Sequence, residues 1–144
     1  MRIVALLPLF ARAACTPPPP LLPPAPSAAM IEVTTSSFHG ATSTQIFADG
    51  TRIDDVGRAG GEPPSHNVTQ GSPSVYTRAA AVLGREGAKT KAALQPQAAP
   101  CMDYGMDLVR ADPAVAGFDQ VSTNCPDEAV SALMADVLSA LAPP

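Results

Sequence analysis

A chain of 144 residues with 46% hydrophobic residues, much of it alanine, has room for one modest domain; its two ends differ so clearly from its middle that the part able to bury a core is nearer ~110 residues. No Trp, two Tyr and four Phe argue against an aromatic ligand cage or a base-stacking platform. The formal net charge of −4, which becomes more negative without the basic leader, argues against nucleic acid as a partner, whose binding rests on neutralising phosphates.

Residues 1–15, MRIVALLPLFARAAC, run from a charged start at Arg2 through an apolar stretch, Ile3 to Ala11, to small residues before Cys15. This is the order of a secretory signal, and it is too short to span a bilayer. With Ala13, Ala14 and Cys15 in place, the leader resembles the bacterial lipoprotein precursors, whose signal ends in a small apolar box immediately before an acylated cysteine. Arg12 departs from that pattern, standing where the family usually has Leu. The resemblance implies lipidation at Cys15, a membrane partner through that lipid anchor, and a cell-envelope location facing the periplasm. An alternative is cleavage at Ala11-Arg12-Ala13 by the ordinary signal peptidase, giving a soluble periplasmic protein that begins at Ala14.

Residues 16–29, TPPPPLLPPAPSAA, hold seven prolines in fourteen residues and no charge. Such a segment favours extended polyproline conformation rising about 3.1 Å per residue, a tether reaching roughly 40 Å.

From Met30 the composition changes, and a single domain over 30–144 is expected. Ile31, Val33, Thr34, Thr35 and Phe38 form a β-prone run, interrupted at His39-Gly40 and resumed over Thr42 to Phe47; Asp49-Gly50 then signals a hairpin into Thr51 to Val56. With Asp49 and Gly50 as the central turn residues, Ala48 would oppose Thr51 and Ile46 would oppose Ile53. Residues 57–73, dense in Gly, Pro, Ser and Asn, read as a long loop.

Ser72 or Ser74 can cap a helix over 74–86, with Pro73 in its first turn and Val75, Ala79, Val82 and Leu83 at helical spacing; residues 88–94 add a turn or two. Two short strands, Asp107 to Ala111 and Phe118 to Thr123, are separated by a longer connection through Asp112-Pro113-Ala114 and Gly117. Val130, Leu133, Met134, Val137, Leu138 and Leu141 then mark an amphipathic helix over 126–141 with an acidic first turn. The pattern predicts a small α+β fold, a mostly antiparallel sheet with two helices packed on one face.

With Cys15 assigned to a lipid, Cys101 and Cys125 remain as a pair flanking the two late strands, and a structural disulfide is expected in an exported protein. The pair lacks the Cys-x-x-Cys spacing of a redox site, and no metal site is expected. His39 and His66 have no ligand-like neighbours in sequence; no Gly-x-Ser-x-Gly elbow and no phosphate loop occur, so neither catalytic residues nor a cofactor is expected.

The remaining cluster is Asp103, Asp107 and Asp112, possible ligand-binding carboxylates beside the late hairpin, although their spacing is not that of an EF-hand. The functional expectation is a non-enzymatic cell-envelope lipoprotein presenting a small disulfide-closed interaction domain to an envelope protein partner. The alternatives are a periplasmic small-ligand or calcium-binding module built on those three aspartates, and an inhibitor of an exported hydrolase.

Overall fold

The computed structural model describes residues 28–60, 62–94, 101 and 105–142. The leader, Cys15 and the tether up to residue 27 lie outside the described residues, as does Asp103. The described chain is an α+β fold with one six-stranded antiparallel sheet. Its elements are β1 (Met30–Ser37), β2 (Gly40–Phe47), β3 (Thr51–Arg58), β4 (Ser65–Gln70), α1 (Pro73–Val82), a π-helical turn (Leu83–Gly87), α2 (Ala88–Ala93), β5 (Met106–Val115), β6 (Phe118–Thr123) and α3 (Glu128–Ala140).

Strand order is β4-β3-β2-β1-β5-β6. A four-stranded meander is built outward from β1, and the chain then returns across one face through α1 and α2 to place β5 on the free side of β1. Alternation in β1 decides which face the helices cover. Ile31 lies between Ile46 and Ala111, and Val33 between Thr44 and Val109, so one face gathers branched apolar side chains from three neighbouring strands. Val121 extends the row across β6. Against it pack Ala79, Val82 and Leu83 from the first helical stretch and Val130, Leu133, Met134 and Val137 from α3.

The helix ends are held by side chains. Ser72 caps α1, its oxygen accepting from the Ser74 N–H at 3.3 Å, and Asp127 caps α3, Oδ1 accepting from the Val130 N–H at 2.9 Å. Arg78 of α1 donates to the Ala140 and Ala142 carbonyls at 3.0 and 2.9 Å, satisfying acceptors at the C-terminal end of α3.

The structure departs from the sequence expectations in four places. The segment read as a loop over 57–73 contains β4, a strand whose six residues are all exposed. Only Val68 in it is apolar, so neither burial nor alternation announces it. The β2–β3 hairpin is shifted by one residue: Ile46 opposes Arg52, and Gln45 opposes Ile53. The connection is Ala48 to Gly50, with the Gly50 N–H bonded to the Phe47 carbonyl and Gly50 at φ +88°, a three-residue turn ending in a left-handed glycine.

The helical segments expected over 74–86 and 88–94 form one continuous stretch: Gly84 and Gly87 do not interrupt it but fall in the π-helical turn, which joins α1 to α2 without a break. Finally, β5 runs on through Asp112, Pro113 and Ala114 with a register shift between Arg110 and Val115. The turn into β6 is the tight pair Ala116-Gly117, both at positive φ.

Candidate functional site

Asp107 and Asp112 are not brought together. Asp107 is 4% exposed on the helix-covered face, in register with Thr35 and Thr123, whereas Asp112 is exposed and in register with Met30. They stand five positions apart on one strand, which places them on opposite faces and roughly 17 Å apart. Asp103 lies outside the described residues. Among the described residues no group of three His, Cys, Asp or Glu side chains is placed to hold a metal ion.

Cys101 and Cys125 form a disulfide, with Cα atoms 5.0 Å apart. Cys125 is buried near the start of the β6–α3 connection. There its N–H donates to Thr123 Oγ1 at 3.2 Å, and the Thr123 hydroxyl donates to the Cys125 carbonyl at 2.9 Å. The bond ties the segment entering β5 to the segment leaving β6.

The face of the sheet opposite the helices is polar, and it is organised in cross-strand rows. One row reads Val68, Ile53, Gln45, Glu32, Arg110, Gln120; the next reads His66, Asp55, Ser43, Thr34, Leu108, Ser122. Glu32 sits at the centre. Its Oε2 accepts from Arg110 Nη2 at 2.9 Å, and its Oε1 accepts from the Thr34 and Ser43 hydroxyls at 3.2 and 3.3 Å. At the β4 end, His66 Nδ1 lies 2.6 Å from Asp55 Oδ1.

Two further ion pairs mark the rim. Burial works against ionisation of Asp54, but hydrogen bonds from Arg52 and Thr44 and the Arg52 charge outweigh it, holding the carboxyl below its ordinary pKa. Asp119, exposed on β6, is brought down to about 2, first by the hydrogen bond from Lys91 Nζ at 2.6 Å and then by backbone N–H groups. A groove of about 510 Å³ between α1 and α3 is lined by Arg78, Arg85, Asp136 and Ser139, but its Arg78 is occupied by the carbonyls at the end of α3.

The open face went unrecognised in the sequence as a unit. The signal was the other half of the alternation in β1, where Glu32 and Thr34 intervene between and after the buried Ile31 and Val33. His39 is exposed in the β1–β2 turn, as its Gly neighbour suggested, while His66 belongs to β4 and not to a loop.

No family model matches the chain, and no curated protein or solved structure matches it.

Proposed function

We propose that this is a non-enzymatic cell-envelope lipoprotein. Cys15 carries the lipid, residues 16–29 act as the tether, and the disulfide-closed domain is held out to meet an envelope protein partner. The observation that carries this reading is the Cys101–Cys125 bond, because such a pair persists in an oxidising compartment and accounts for the two cysteines that the leader does not use. A binding role over a chemical one is supported by the open face, whose carboxylates Glu32 and Asp55 are already engaged by Arg110 and His66.

The test is the intact mass of the protein extracted with detergent from the membranes of a bacterial host. The expected species begins at Cys15, carries a diacylglycerol and an amide-linked acyl chain, and is two hydrogen atoms lighter than its reduced form. A lipid-free species beginning at Ala14, or a full-length chain with free thiols, overturns the anchor.

A further inference from the structure

The two edges of the sheet are treated differently. At one edge, β6 bears Asp119 paired with Lys91 of α2, and its pairing with β5 is irregular. Charge and irregular register are the devices that keep an edge strand from adding to another chain. At the other edge, β4 has neither. Its sequence, Ser-His-Asn-Val-Thr-Gln, contains no Lys, Arg, Asp, Glu or Pro, and it pairs with β3 residue for residue from Ser65 to Gln70 without a bulge. The helices pack over β1, β2, β5 and β6, so β3 and β4 project past the helical layer.

The hydrogen-bond phase of this edge is fixed by its neighbours. The Gly71 N–H donates to the Gly50 carbonyl across β4 and β3, and the Ala59 N–H donates to the His39 carbonyl across β3 and β2. Because antiparallel partners alternate between bonded and non-bonded pairs, Ser65, Asn67 and Thr69 spend their backbone groups on β3, and His66, Val68 and Gln70 direct theirs outward.

We infer that β4 pairs antiparallel with β4 of a second copy about a two-fold axis at Val68, joining two sheets into one of twelve strands. Of the symmetric registers, this one alone sets every outward residue against an outward residue: Val68 faces the second copy's Val68, and His66 faces its Gln70. The side chains agree with the backbone. Val68, 53% exposed, lies in register with Ile53 on the open face, so the two-fold produces an unbroken apolar row of Ile53, Val68 and their two counterparts. No like charges meet across the axis, and this match of the strand to itself favours a second copy over a foreign strand. The inference does not depend on the lipid anchor.

The experiment uses the full chain carrying Cys15→Ser, so that neither lipid nor third thiol intervenes. Sedimentation velocity from about 1 μM to 1 mM, the range suited to a contact this small, should show monomer passing to dimer. Val68→Lys should weaken the dimer by about tenfold or more without changing the thermal melt of the monomer, since the side chain is exposed. Val68→Cys should cross-link to itself under air oxidation, because bonded antiparallel partners stand about 5.5 Å apart at Cα, within disulfide reach. Asn67→Cys should not, since it would face the second copy's Thr69. A monomer throughout, a dimer indifferent to Val68→Lys, or cross-linking at Asn67→Cys as readily as at Val68→Cys overturns the proposal.

Discussion

The ring of Phe118 occupies the space that a side chain on Gly87 would need: an ideal Cβ there would fall 2.5 Å from Phe118 Cδ2 and 2.8 Å from Cγ. Gly87 closes the π-helical turn and Phe118 opens β6 at 2% exposure, so this contact sets how closely the helix approaches the sheet. Gly87→Ala is expected to destabilise by about 1–2 kcal/mol, because strain in a packed core exceeds the ~1 kcal/mol that Ala gains over Gly in a helix. Urea unfolding of the two proteins measures it, and a more stable variant would show that Phe118 moves aside freely.

Ile46 and Ile53 distinguish the observed hairpin register from the one suggested by Asp49-Gly50. Ile46 is 1% exposed in the core, while Ile53 lies half-buried on the open face. Ile46→Ala should cost about 2–4 kcal/mol, and Ile53→Ala less than about 1.5. Equal losses in denaturant unfolding would contradict the placement of the two on opposite faces.

The Cys101–Cys125 bond closes a loop with a sequence separation of 24. Loop-closure entropy gives about 3.5 kcal/mol for a loop of this length, so Cys101→Ser with Cys125→Ser should lower the melting temperature substantially. A loss below about 1 kcal/mol would mean that packing alone holds the β5–β6 region.

Asp54 carries a pH signature. Its folded pKa lies below the ordinary value, so its contribution is complete above the unfolded pKa and is lost as pH falls through the folded one. Asp54→Asn should therefore cost roughly 0.5–1 kcal/mol at neutral pH, with the difference from the parent shrinking below about pH 4. Denaturant titrations at both pH values test the sign, and a difference that grows in acid would contradict it.

Asp127 caps α3 through the Val130 N–H, so Asp127→Ala should destabilise by about 1 kcal/mol and loosen the first turn, which hydrogen exchange at Val130 would report. Unchanged exchange there would assign the helix start to packing of Val130, itself fully buried.

Much of this architecture is legible in the amino-acid sequence, where local physics and burial agree. The spacing of Val130, Leu133, Met134 and Val137 writes a buried helical face directly, and the composition change at Met30 coincides with the first strand. Cys101 and Cys125 pair as their positions around β5 and β6 suggest. Each of these signals is carried by residues that must leave water, and such residues advertise the period of the element that buries them.

Tertiary structure decided the rest, for the converse reason. β4 exposes all six residues, so its strand conformation comes from the β3 ladder and not from its own side chains. The register of the β2–β3 hairpin depends on a left-handed Gly50 placed against the Gly71 backbone, a contact made by residues 21 positions apart. Asp107 and Asp112 of β5 are parted because an odd separation of five positions along a strand puts them on opposite faces, while Glu32 and Arg110, distant in sequence, are brought to 2.9 Å by pairing of β1 with β5. Hydrophobic period is a local property of the chain, whereas polar partnership is created by the ladder that joins its distant parts.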